Sequence, residues 1–131
     1  MDEYYEMLEC FWKWAKMDPD NADVWYGIGI AFVKLGLYPL AVRAFRKVLV
    51  IDPHNKYVWN DLAAVCNEIG RHTEALEAYG EAIKIDPDMV EARSGLALTR
   101  DLSVNPVPVP DVRPIDPALA DIVNDLMTRM G

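Results

Sequence analysis

The side chains best equipped for chemistry in this sequence are two histidines, two cysteines and a run of acids. Their spacing decides what they can do. His54 follows Pro53 in a turn, and His72 opens a helical stretch. They share no helix, and neither has a Cys or His at metal-ligand spacing, so no metal site and no cofactor is expected. Cys10 and Cys66 have no basic neighbour in sequence that would stabilise a thiolate. Two thiols are too few for a disulfide framework, and the reading is a pair of free thiols in a reducing cytoplasm. Glu74, Glu77 and Glu81 fall at helical spacing, as a solvated face does. Gly27-Ile28-Gly29 and Gly95 lie inside helical patterns, where they permit close packing; no phosphate loop after a strand is present. Pro114-Ile115-Asp116-Pro117 matches the PxxP pattern only weakly, inside a linker. These residues make no catalytic constellation, and the expectation is a protein without enzymatic activity.

Charge and composition narrow the partners. The 131 residues are 52% hydrophobic and 26% charged, which suits one folded domain rather than a disordered chain. The formal net charge is −8, from 13 Lys and Arg against 21 Asp and Glu. Such a field repels nucleic acids and anionic membrane surfaces, and no basic cluster stands out against it. Apolar runs are broken by charge or Gly well before the roughly 20 residues of a membrane span. The N-terminus, Met1-Asp2-Glu3-Tyr4-Tyr5-Glu6, is acidic where a signal peptide is basic.

The elements that would position these side chains come from an internal repeat. Trp25 and Trp59, Val24 and Val58, Gly36 and Gly70, Ala41 and Ala75, Ala44 and Ala78, and Phe45 and Tyr79 are each 34 positions apart. Ile51-Asp52-Pro53 recurs at the same offset as Ile85-Asp86-Pro87. In the first unit Val24, Trp25, Ile28, Phe32 and Leu35 follow helical spacing, and Gly36 ends the helix. A second stripe, Leu40, Ala41, Ala44, Phe45, Val48, Leu49 and Ile51, ends at Asp52-Pro53. Each unit therefore reads as a helix A, a tight turn and a helix B.

These residues resemble the tetratricopeptide repeat (TPR) family. The first repeat, 22–55, carries Trp25, Ile28-Gly29, Phe32, Gly36, Tyr38, Ala41, Phe45, Val48 and Pro53; the second, 56–89, carries Trp59, Leu62-Ala63, Gly70, Ala75, Tyr79, Ala82 and Pro87. Cys66 and His72 stand where aromatics are usual. In the same register, residues 3–17 read as an orphan helix B, with Cys10 as a small packing residue beside Ala44 and Ala78 in register. Residues 89–102 read as a terminal helix A, in which Arg93 and Arg100 replace Trp59 and Cys66. The resemblance implies an all-α, right-handed α-solenoid of antiparallel helix pairs over residues 1–102.

It also implies a protein-interaction scaffold, with the A helices lining a concave groove. By position, the groove-facing residues are Asp23, Tyr26, Ile30, Val33 and Lys34, then Tyr57, Asn60, Asp61, Ala64, Asn67 and Glu68, then Glu91, Ser94 and Leu98. Some members grip a partner's C-terminal carboxylate with a clamp of Lys, Asn and Arg. Here the matching positions hold Tyr26, Ile30, Asp61, Glu91 and Gly95, so no such clamp and no recognition of acidic chaperone tails is expected. An apolar or mildly basic peptide or helix is the better ligand class.

After the repeats, residues 103–115 read as a Pro-rich linker. At roughly 3.1 Å per residue it could reach about 40 Å. Residues 116–131 then read as an amphipathic helix, with Asp116 as N-cap, Pro117 at its first position and Leu119, Ile122, Val123, Leu126, Met127 and Met130 on one face. Two seats suit it: the open side of the terminal helix A, as a cap, or the concave groove of its own or a neighbouring chain. The second makes the alternative function a self-assembling structural module, a homodimer. The opening half-repeat also fits a subunit or fragment of a larger machine.

Overall fold

Asparagines start two of the helices. The Asn21 side chain accepts from the Asp23 amide at 3.0 Å, and Asn55 accepts from the Tyr57 and Val58 amides at 3.2 and 3.3 Å. Their helices, α2 (Ala22–Lys34) and α4 (Lys56–Glu68), end alike. Gly36 and Gly70 take φ of 75° and 74°, open to glycine without strain. The turn this allows sends the Leu37 amide back to the Phe32 carbonyl at 2.8 Å, and the Arg71 amide to the Cys66 carbonyl at 2.8 Å. The partner helices α3 (Tyr38–Ile51) and α5 (His72–Ile85) start directly from these turns without a side-chain cap.

The computed structural model describes residues 3–104 and 115–130, and every regular element among them is helical. Before the two pairs lies α1 (Glu3–Met17); after them lies α6 (Val90–Val104). Each helix packs on the next along the chain, and α4 also touches α6, so the repeats stack as a solenoid. The core runs between the layers, with Trp25, Ile28, Phe32 and Phe45 wholly buried. A polar tie recurs at two junctions. The Trp25 indole donates to the Pro19 carbonyl at 2.7 Å, and Trp59 to the Pro53 carbonyl at 2.8 Å. The Trp and the Pro of the repeat are thus one device, joining α2 and α4 to the end of the helix B before each.

Three sequence expectations need correction. Cys10 is exposed, although Ala44 and Ala78, its counterparts in register, are buried. Ala44 and Ala78 sit on helices that each follow a helix A packed against them, and among the described residues no helix precedes α1. The terminal helix A does not stop at 102: Ser103 and Val104, read as linker, belong to α6. The rest of that linker, 105–114, lies outside the described residues.

The third correction concerns the last helix. Asp116 accepts from the Ala118 amide at 2.9 Å and opens a 3-10 turn, Pro117–Leu119, which leads into α7 (Ala120–Met130). Helix α7 packs on α1 and α3, both of the B series, and so lies neither over α6 nor along the A-helix line. The seat follows from what each surface offers. On α6 the exposed apolar side chains Val90, Leu98 and Val104 are interrupted by the exposed charges of Arg93 and Arg100. On α1, whose neighbours are α2 and α7, Leu8 and Ala15 are completely buried. Helix α7 itself buries Ile122, Val123 and Leu126, each worth roughly 2 kcal/mol. Polar contacts fix its register: Trp12 Nε1 donates to Asp125 Oδ2 at 2.6 Å, Tyr5 Oη to Asp116 Oδ2 at 2.9 Å, and Arg43 Nη2 to the Met127 carbonyl at 3.2 Å.

Candidate functional site: the face of the A helices

The best-defined polar feature on the A helices is a pair of residues one repeat and one position apart. Tyr26 on α2 donates its phenol to Asp61 Oδ2 on α4 at 2.7 Å. The Tyr26 ring lies 5.8 Å from that of Phe45, tilted by 40°. Burial raises the Asp61 carboxyl above its usual range, against the opposing effect of the Tyr26 hydrogen bond. Burial, then the hydrogen bond and charge of Asp61, push the Tyr26 phenol up to about 12.

Register explains why Asp61 is unusual. The positions 34 before and after it are Gly27 and Gly95. A β-carbon on Gly27 would meet Phe11 Cζ at 2.5 Å, and one on Gly95 would meet the Tyr79 ring. Phe11, Phe45 and Tyr79 are themselves 34 apart. The outer two rings rest against glycine, and at the middle position the chain carries a carboxylate, held by the tyrosine that packs on Phe45.

Not all the expected groove residues are alike in the structure. Asp23, Lys34, Ala64, Glu68, Glu91 and Ser94 are exposed; Tyr57 and Leu98 are 63% and 56% exposed, large for apolar side chains. Ile30 and Val33 are half-buried against the core. Asn67 has a structural role. It donates to Thr99 Oγ1 at 2.7 Å and faces His72 Nδ1 at 3.3 Å, while Thr99, wholly buried, donates to the Gly95 carbonyl at 2.7 Å. That network joins α4, α5 and α6. Asn60 Oδ1 is buried without a hydrogen-bond partner.

Near the start of the A helices, Asp23, Tyr26, Asn55 and Tyr57 line a hollow of about 320 Å3. Lys56 beside it is engaged: its ammonium is 2.5 Å from Asp86 Oδ2 and 5.2 Å from the centre of the Tyr57 ring. Sequence reasoning placed Tyr26 and Asp61 separately and missed their bond; the alternation of Gly27, Asp61 and Gly95 was the signal that could have found it.

Burial, then the nearby Glu74 charge, push the Cys66 thiol up to about 11, so it stays protonated near neutral pH. Among the described residues no helix is long and apolar enough to cross a membrane.

Comparison with known proteins places this architecture. No curated protein matches the chain. Among solved structures, it is similar to the TPR domain of Arabidopsis OM64, at 19% identity and a TM-score of 0.71 over 76% of this chain and 82% of that one. It is similar to the second TPR domain of human RPAP3, solved with the HSP70 peptide SGPTIEEVD, at 18% identity and a TM-score of 0.70 over 74% and 81%. The Yersinia enterocolitica type III secretion chaperone SycD, solved with a peptide of the translocator YopD, gives 18% identity and a TM-score of 0.71 over 77% and 82%. At these identities the likeness is one of fold. The tetratricopeptide repeat model matches residues 22–55 and a TPR repeat model matches 64–100, together more than half of the sequence. With its Gly turns, its Trp-to-Pro ties and its stacked helix pairs, the chain belongs to the tetratricopeptide repeat family.

Proposed function

We propose that this protein is a non-enzymatic interaction module that binds a peptide or helix along its A helices, without a carboxylate clamp. The observation that carries this reading is Asp61. A half-buried carboxylate stands on the A-helix line, between positions that hold glycine one repeat on either side. Asp23 and Glu91 lie exposed on the same line, with Tyr57 and Leu98 as apolar surface. A ligand with apolar side chains and a Lys or Arg matches these groups; an acidic tail would meet like charges. RPAP3 and SycD, similar in fold, are proteins solved with bound peptides. A cytoplasmic setting belongs to the same proposal, resting on the free thiols of Cys10 and Cys66.

Calorimetric titration with a peptide panel tests the reading. Apolar and singly basic peptides should bind, and the binding should weaken about tenfold in Asp61→Ala combined with Tyr57→Ala. The peptide SGPTIEEVD should show no heat. Tight binding of that acidic peptide would sink the proposal. The alternative, in which residues 116–131 fill a groove and drive self-assembly, draws no support from α7, which lies on α1 and α3. A light-scattering mass of two chains, lost on deleting 116–131, would revive it.

A further inference from the structure

On the B-helix face the repeat builds the same crevice twice. Between α1 and α3 it is filled by α7. Between α3 and α5 it opens into a cavity of about 390 Å3, with Leu62, Cys66 and Ala78 buried at its base and Val50, 79% exposed, at its rim. Register explains the space. Cys66 stands 34 positions after Phe32, which is wholly buried, and a thiol leaves the volume of the missing ring unfilled. Beside it, Arg43, Arg46, Lys47 and Val50 line a second hollow of about 340 Å3 that ends on Met130 of α7.

Charge separates the two seats. The α7 flank is acidic, with Asp116, Asp121 and Asp125. Its seat answers with the Trp12 N–H on Asp125 and with Lys16 close to the same carboxylate, while Arg43 holds the end of the helix. One repeat on, Leu40 becomes Glu74 and Arg43 becomes Glu77. Arg46 is already paired with Glu74, and Glu77 is exposed with no ion pair among the described residues. An acidic helix such as α7, from this chain or a second copy, would meet the unpaired Glu77 there, whereas a basic flank would pair with it.

We propose that the crevice between α3 and α5 is a docking seat for an amphipathic helix of another protein, with a large apolar side chain for the Cys66 cavity and Lys or Arg along the flank that faces Glu74 and Glu77. Helix α7 on α1 and α3 is the template for the fit. This seat lies on the B helices, apart from the groove residues above, so its test is independent of theirs.

The probe is a synthetic peptide of residues 116–130 carrying Asp121→Lys and Asp125→Lys, with the unchanged peptide as control. Each is titrated into the full, methyl-labelled chain and followed by NMR. The Lys peptide should shift the methyls of Leu49, Val50 and Leu62, and the acidic control should not. Val50→Asp, at an exposed position, should weaken binding at least tenfold. Cys66→Phe should do the same by filling the cavity, with its thermal midpoint read alongside to verify folding. Four results would overturn the proposal: no binding of the Lys peptide at millimolar concentration; shifts confined to α1 and α7 or to Tyr57 and Leu98; equal binding by wild type and Val50→Asp; or a concentration-dependent dimer abolished by Val50→Asp, which would make a second copy the occupant.

Discussion

Asp61 carries a cost in the fold that its neighbours in register avoid. Its carboxyl is raised by burial, so the folded chain holds this proton more tightly than the unfolded one. Stability from this group is therefore greatest at low pH and falls as pH rises from the ordinary carboxylate range through the raised folded value. Asp61→Asn keeps an acceptor for the Tyr26 phenol and removes the charge. It should raise the thermal midpoint at pH 7 by roughly 3 °C and flatten that part of the pH dependence, read by calorimetry from pH 4 to 7. Asp125 behaves oppositely. Its carboxyl is lowered, first by the Arg129 hydrogen bond and then by Trp12, so its contribution is present above the ordinary carboxylate range and is lost as pH falls through the folded value. Asp125→Asn should lose stability at pH 7 and converge with wild type in acid. If Asp61→Asn lowers the midpoint at pH 7, the carboxylate is a net stabiliser and the functional reading of its cost fails.

At the scale of the element, α7 separates what the sequence shows from what it hides. The repeat helices were legible because their signature residues are the ones that must pack: Trp25 ties to Pro19, and Gly36 turns with positive φ. Helix α7 was legible as an amphipathic helix, and its seat was not, because an apolar stripe fits any apolar surface and its partners lie far off in sequence, 84 positions for Arg43 and Met127 and 113 for Trp12 and Asp125. Cys10 failed for a related reason. Its register is that of Ala44, but among the described residues no helix precedes α1 as α2 precedes α3. On the candidate site, the residue types of the A-helix face could be read, whereas Asn67, bound to Thr99 and His72, looked free until three helices were brought together. The seat of α7 makes quantitative expectations. Leu126, wholly buried, should cost about 3 kcal/mol as Leu126→Ala in urea unfolding. Trp12→Phe keeps the ring but loses the indole donor, and should cost about 1 kcal/mol. Values near zero for both would mean that α7 does not rest on α1 and α3 in solution.

Across the whole molecule, the placement of α7 makes the two ends of the stack unequal. A linear array is held by nearest-neighbour interfaces, so its terminal helices open first unless something else covers them. Among the described residues, helix α1 packs mainly on α2 and α7, and α7 also rests on α3, so it bridges the first turn of the stack. Among the described residues, helix α6 packs mainly on α5 and α4, buries Ala92 and Thr99, and leaves Val90 and Leu98 exposed at 69% and 56%. Its polar tie to α4, through Asn67 and Thr99, is the main specific bond on that side. Native-state hydrogen exchange should therefore find the amides of α6 opening at a lower free energy than those of α1, by about 1–2 kcal/mol. Leu126→Ala should reverse the order, because undocking α7 strips α1 of one of its two neighbours while α6 is untouched. Thr99→Val should lower α6 further and leave α1 unchanged, since it removes the acceptor of Asn67 without altering the other end. Equal protection of α1 and α6 in the wild type would show that the stack unfolds as one cooperative unit, and that the outer helix stabilises the array as a whole rather than its first turn.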